Sequence, residues 1–430
     1  MDDPEAAEQQ DEASLVVYGW RDPALVAVAL LALAAGFGQF GVVASLGSVA
    51  KTFGHLSHGA TFSDEVGLSG TVLGVGLAVI RLASLGGLPL AGLGDRFGRR
   101  PTLLGTCALG LALTMAAAIA PGYWWFVVIF ALGRPFLSAT LGLAQVSAVE
   151  LTSSAERAKA VAMVAAGYAA GAGLIAVVHS LAGGTLGFRG IFALAVVPLL
   201  FLPLLARRVV EPSRYQHVTA AEHRPPVLGP VGPAFRRRLV VVALLAFAVS
   251  VITGPANSLV FIYAQNHLHL SGIVTSAMVV VAGAVGLVGL LIGRWLADHW
   301  GRRPTVAVAL VGCALCGTVA YTGSEWALLG GYVFGVTTGG ILAPAAGALS
   351  SELFPTSVRA SAAGWTIAAG VIGAVVGLVA FGAVADIGGV SNHTAFAAAV
   401  VFLPMVLFAG LLLLLPETMG HEPEELWGAG

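Results

Sequence analysis

Apolar residues gather in twelve long stretches, at 24–50, 67–91, 101–120, 123–149, 160–182, 190–206, 239–264, 272–293, 304–323, 326–351, 361–385 and 394–415. A helix rises about 1.5 Å per residue, so about 20 apolar residues cross the ~30 Å hydrocarbon layer of a bilayer. The pattern predicts an all-α integral membrane protein with twelve transmembrane helices. Polar residues are left to short connections, to one longer Pro- and Arg-rich connection, and to the two ends.

Two polar patterns recur at nearly one offset. GDRFGRRP at Gly94–Pro101 returns as ADHWGRRP at Ala297–Pro304, 203 residues later, each between two apolar stretches. Glu150 and Arg157 close one stretch, and Glu352 and Arg359 close another, 202 residues on. A chain that repeats itself at half its length is a duplicated unit. The expected organisation is a disordered tail (1–20), a six-helix bundle (21–206), a cytoplasmic central loop (207–238), a second six-helix bundle (239–416) and a tail (417–430). The two bundles are expected to be pseudo-symmetric, with a site between them at mid-membrane.

Composition agrees with this pattern. Hydrophobic residues make up 57% of the chain and charged residues 10%, against roughly 25% charged in soluble domains. The 57 glycines suit close helix contacts in lipid. Of 21 lysines and arginines, Arg81 and Arg134 fall within stretches, and Lys51 and Arg189 fall on odd-numbered connections. The other 17 lie on the N-terminal segment and the even-numbered connections, which predicts that this side and both termini are cytoplasmic. Only two of the 21, Lys51 and Lys159, are lysines, a bias that suits a GC-rich genome and a bacterial plasma membrane. The acidic, polar start is not expected to be a cleavable signal peptide. Cys313 and Cys316 spell CxxC inside an apolar stretch with no acid or histidine nearby, so they read as packing residues.

The loop after span 2, with Gly92, Asp95, Arg96, Gly98, Arg99 and Arg100, resembles the cytoplasmic gating motif of the major facilitator superfamily. The resemblance covers about residues 20–420. It implies a secondary transporter rather than an enzyme, with no cofactor, working by alternating access. The partners it implies are a small-molecule substrate, protons and the lipid bilayer, with no nucleic acid, and the protein is expected to be a monomer. In the motif, Gly98 permits a tight turn, and Asp95 can accept bonds from a helix N-terminus and from arginines. The second copy offers Asp298, Gly301, Arg302 and Arg303, but has Trp295 in place of Gly92 and His299 in place of Arg96. With Glu150, Arg157, Glu352 and Arg359 these residues form the expected gate. Val210–Tyr215, Glu352–Ala360 and Pro416–Gly420 resemble sugar-porter sequences after spans 6, 10 and 12. Sugar porters carry two adjacent glutamines in span 7, and Ser250–Asn257 has none.

Arg81 lies 14 residues before Asp95, about 21 Å along a helix, which is near the bilayer centre. Arg134 lies about 15 Å beyond the interfacial Trp124 and Trp125. An arginine at that depth costs about 2.5–3.5 kcal/mol, so both should face water or a partner. No Asp or Glu falls mid-span to pair with them, and Gln39 stands where many relatives of this superfamily place an acid. The functional reading is an anion site built from Arg81 and Arg134 with Gln39. The alternative is that the arginines bond backbone carbonyls, those around Pro135 in the case of Arg134. Asn257, Tyr168, Thr338 and Trp365 are further cavity candidates. His179 reads as a water-exposed residue at the outer end of span 5, with a proton relay as the alternative. The leading expectation is uptake of a small organic anion with proton coupling. Sugar or polyol transport, drug efflux and a membrane receptor on the same scaffold remain as alternatives.

Overall fold

The computed structural model describes residues 18–55, 66–153, 156–212, 228–387 and 392–420. Eleven described helices are long and apolar enough to cross a membrane. They are α1 (Pro23–Phe53), α2 (Gly70–Phe97), α3 (Arg99–Ile119), α4 (Tyr123–Leu151), α5, α7 (Pro233–Ser258), α8 (Gly272–His299), α9 (Arg302–Ala320), α10 (Glu325–Glu352), α11 (Val358–Ala385) and α12 (His393–Leu414). The helical run Arg157–Ala193 turns over at Gly187, where φ is +58°. The part before this glycine is α5. The part after it, continued by Val196–Ala206, is the shorter α6. Twelve crossings result, in the expected places.

Several helices outrun their apolar stretches. α2 continues to Phe97, α7 begins at Pro233 and α8 continues to His299. The added turns carry arginines, which continue a helix well while their charged ends stay in water.

The ends of the chain segments are more ordered than expected. Tyr18 N donates to Leu151 O at 2.8 Å and Trp20 N to Glu156 Oε2 at 3.2 Å, so residues 18–20 are tied to the α4–α5 connection rather than disordered. Residues 1–17, 213–227 and 421–430 of the expected tails and central loop lie outside the described residues.

Each half is built on the same close helix pair. In the first half α1 lies against α5, and a Cβ at Gly171 would overlap the Leu33 carbonyl. In the second half α7 lies against α11, and a Cβ at Gly377 would overlap the Val251 carbonyl. Lipid offers no hydrophobic reward for helix association, so contact at this range gains its strength from packing.

The halves meet through α2 with α11, α5 with α8, and the end of α7 with α1. Their polar contacts gather at the face away from the repeated loops. There the Asp386 carboxylate, just past α11, caps α2: it accepts bonds from Gly70 N (2.7 Å), Thr71 N (2.8 Å) and Thr71 Oγ1 (2.6 Å). Nearby, the Ser180 and Ser276 hydroxyls are 2.5 Å apart, and Ser276 donates to Ala176 O at 2.8 Å. Phe40 meets Phe261 edge-on at 6.0 Å.

Asp386→Ala removes a cap and three bonds that join the halves. A lost helix cap is worth about 1–2 kcal/mol. The detergent-solubilised variant should unfold at a lower temperature than the parent, with Asp386→Asn in between. An unchanged melting curve for Asp386→Ala would show that this contact does not hold the halves.

Candidate functional site

Four polar residues of the first half converge at mid-helix. Pro135 of α4 packs on Gly86 and Gly87 of α2, where a Cβ would meet Pro135 or Ser138 at 2.9–3.2 Å. This approach sets Arg81 of α2 beside Arg134 of α4. Arg134 is 8% exposed and points NH1 at the Gln39 carbonyl of α1 across 3.4 Å, longer than a normal bond. Tyr168 of α5 donates to Gln39 Oε1 at 3.1 Å. Arg81, Arg134 and Tyr168 lie within electrostatic reach of one another.

The cluster has donors to spare. Arg134 Nε and Gln39 Nε2 are buried without a hydrogen-bond partner. The Arg81 guanidinium forms no hydrogen bond or ion pair among the described residues; only its backbone carbonyl is used, by Ser84. Buried donors normally find acceptors, so what this site lacks is an acceptor. The Arg134 contact is to α1, not to carbonyls around Pro135.

Arg81 also lines a cavity of about 520 Å³ between the halves. Most of the opposite wall is apolar, with Val242, Leu245, Val249 and Ile367, and a few polar groups, Ser250, Thr253 and Asn257. The cavity reaches Leu349 and Ser350, close to the α10 end that carries Glu352, so it extends toward the face of the repeated loops.

The other candidates separate. Asn257 lines the cavity and bonds Thr253 O of its own helix at 2.9 Å. Thr338 turns toward α9, with its hydroxyl 2.9 Å from Gly335 O and 3.4 Å from Cys313 Sγ. Trp365 is 44% exposed and donates to Gly229 O at 3.1 Å. Neither lines the cavity. His179 is not water-exposed as expected: it is buried against Phe261 of the other half, edge-on at 6.2 Å. The bend at Gly187 continues helical structure past the span predicted from the sequence, which places this histidine inside the seam. Cys313 and Cys316 are free thiols within packed helices.

The repeated loops build two matching charge clusters. Gly98 (φ +98°) and Gly301 (φ +110°) make the turns, in a conformation that other residues adopt only with strain. Arg99 is 4% exposed, meets Asp95 at 2.6 Å, and holds Glu150 through Nε and NH2, both at 3.0 Å. Arg302 is 17% exposed and meets Asp298 at 3.6 Å and Glu352 at 3.3 Å. Trp295 stacks on His299 at 4.8 Å, and His299 Nδ1 lies 2.9 Å from Trp295 O. Arg96 sits over Phe97 at 5.9 Å, and Arg359 donates to Phe354 O at 3.3 Å. Arg100 donates to Ala206 O at 2.9 Å. Arg157 Nε is buried without a partner, and the space beside Gly92 is open.

The helix N-terminus that follows Gly98 is capped by Glu211, a residue not among the expected gate. Glu211 accepts from Arg99 N and from Arg100 N (3.0 Å). Glu417 does the same in the second half, for Arg302 N (2.9 Å) and Arg303 N (3.1 Å). A carboxylate at a helix start completes orphaned N–H groups and suits the helix dipole. The sequence signal was a glutamate beside a proline after each half, Glu211–Pro212 and Pro416–Glu417.

The sequence profile described as the Major Facilitator Superfamily matches residues 26–324 and 258–428. A probable 4-methylmuconolactone transporter of Cupriavidus pinatubonensis is 26% identical over 84% of this chain and 84% of its own. A 3-(3-hydroxy-phenyl)propionate transporter of Escherichia coli is 27% identical over 78% and 81%. Among solved structures, the xylose transporter XylE from E. coli in an inward-open conformation covers 94% of this chain, with 98% of its own matched, at a TM-score of 0.73 and 19% identity. The chain belongs to the major facilitator superfamily and is a transporter, not an enzyme.

The tighter cluster should matter more to the protein. Glu150→Gln removes the charge and one of the two acceptor oxygens that a nearly buried Arg99 holds, a loss of about 1.5–3 kcal/mol for charge-assisted bonds. Glu352→Gln weakens a longer, more exposed contact worth about 0–1 kcal/mol. Thermal unfolding of the two purified variants should rank them in that order, and the reverse order would refute the comparison.

Proposed function

We propose that this member of the major facilitator superfamily takes up a small organic anion, with the carboxylate held by Arg81 and Arg134 and assisted by Gln39. The observation that carries the reading is a set of unmet donors: Arg134 Nε and Gln39 Nε2 are buried without an acceptor, and Arg81, which faces the inter-half cavity, has no carboxylate partner among the described residues. A carboxylate would accept bonds from both guanidiniums and offset their mutual repulsion. Arginine suits this role because its planar fork matches a carboxylate and it stays charged when desolvated. The apolar wall facing Arg81 would take the substrate's hydrocarbon body. The name of one relative, a transporter of a substituted phenylpropionate, agrees with an acid of that shape.

Transport follows by alternating access. The contacts at Asp386, Ser180 and Ser276 close one face, while the cavity extends toward the repeated loops. The positive-inside rule makes the loop face cytoplasmic, with both termini on that side, in a bacterial plasma membrane. The protein works as a monomer, and uptake is coupled to protons.

Orientation is checked by cysteine labelling in a background with Cys107, Cys313 and Cys316 replaced by alanine. Ser324→Cys should react with an impermeant maleimide in intact cells, and Arg237→Cys should react only after the cells are opened. Both residues are exposed in the structure. Labelling of Arg237→Cys in intact cells would invert the assignment.

The site is tested by calorimetric titration of purified protein with 3-phenylpropionate, benzoate, succinate, xylose and mannitol. One of the acids should bind, and the neutral solutes should not. Arg81→Gln and Arg134→Gln should each weaken that acid by 100-fold or more, equivalent to about 2.7 kcal/mol. Arg81→Lys and Arg134→Lys should not restore it. Unchanged affinity in well-folded variants of both would rule out the anion site.

A further inference from the structure

A proton can bias which face is open if a buried group binds it when that face opens and sheds it when that face closes. Every described Asp and Glu lies at a helix end or in a connection, so none is placed mid-span to serve. One histidine is. His179 of α5 is 8% exposed, and its Nδ1 has no hydrogen-bond partner among the described residues. Its ring lies edge-on to Phe261 of the short helix Val260–Ile262 that follows α7, across the seam between the halves. The next residue is Ser180, which forms the seam contact with Ser276 of α8.

Among the described residues no carboxylate stands here to stabilise an imidazolium. On the elements packed against this part of α5, the titratable or charged groups are Lys51 on α1, Tyr123 at the start of α4, and Tyr263 and His267 in the helical turns after α7. Arg189 follows the Gly187 bend, and α8 carries none before Arg294. Tyr123 is bonded to Val72 O, Tyr263 to Gly323 N, and Arg189 to Ala118 O and Ala120 O. No carboxylate is among them.

We propose that His179 is a pH-sensitive latch on this seam. With the seam closed, a charged ring would be buried without a counter-ion among the described residues, which is strongly disfavoured, so the closed seam holds the ring neutral. When the seam opens, water reaches the ring and it binds a proton in the range in which histidine titrates. Acid on that side therefore favours the form open to that side, and closing the seam returns the proton to the same side. The latch goes beyond the uptake reading and does not depend on the anion site.

The test uses no substrate, so it is independent of the anion site. In the cysteine-free background, Thr185→Cys and Ile273→Cys flank the seam on exposed positions and carry spin labels. Distances between them are measured by double electron–electron resonance in nanodiscs from pH 8 to pH 5. The parent should gain a longer-distance population as the pH falls. His179→Gln and His179→Phe, each monodisperse on gel filtration, should give distributions that do not change with pH. Persistence of the shift in either variant, or a parent that is insensitive to pH, would overturn the proposal.

Discussion

A charge in hydrocarbon must find water or a partner, and this one constraint arranges most of the polar residues here. It places the described carboxylates at helix ends, where they cap helices or meet arginines. Asp386, Glu211 and Glu417 each serve an N-terminus whose first N–H groups have no partner within their own helix. The two exceptions are Arg81 and Arg134, and they are together. A pair of like charges near mid-helix with unmet donors does not stabilise the fold. Such a cluster points to function, because buried donors without acceptors are rarely kept for structure.

The duplication gives two copies of one scaffold, and the copies are not loaded equally. The close pairs α1–α5 and α7–α11, the turns at Gly98 and Gly301, and the caps at Glu211 and Glu417 correspond one to one. The chemistry does not. Arg81, Arg134, Gln39 and Tyr168 belong to the first half, whereas the second half presents a mostly apolar wall. The charge cluster of the first half is also the tighter, at 2.6–3.0 Å against 3.3–3.6 Å. In the second half Trp295 and His299 stack on each other, at the positions where the first half has Gly92 and Arg96.

Much of this was legible in the residues. Apolar length gave the crossings, and the 203-residue offset gave the duplication, because both are properties of the chain itself. The depth of Arg81 and Arg134 followed from helical rise measured from Asp95 and from Trp124 and Trp125. What could not be read was which way a side chain turns. Thr338 and Trp365 sit on helices that contribute to the cavity, yet one faces α9 and the other meets Gly229. A helix that is apolar all round carries no amphipathic signal to orient it. The position of His179 was misread for a related reason: its burial depends on Phe261, a residue 82 positions away on another helix. Glu211 was visible as part of a resemblance, but its bond to the start of α3 exists only once α6 has returned the chain to that face.

The unequal loading bears on how such a protein would move its cargo. For the organic anion proposed above, charge in both halves would pull the carboxylate between them as they rock. With the guanidiniums in one half, its orientation would be fixed by that half alone, and the other half would supply shape and apolar contact. Rocking then changes how well the apolar wall covers the substrate without breaking the ion pairs, which are the costly contacts to lose. The contacts that join the halves are of another kind: Asp386 on a helix start and a serine pair, both at one face. Contacts like these are individually weak beside the bidentate grip on a desolvated carboxylate. That ordering lets the frame open and close while the cargo stays bound, and it follows from where the membrane permits charge to be buried.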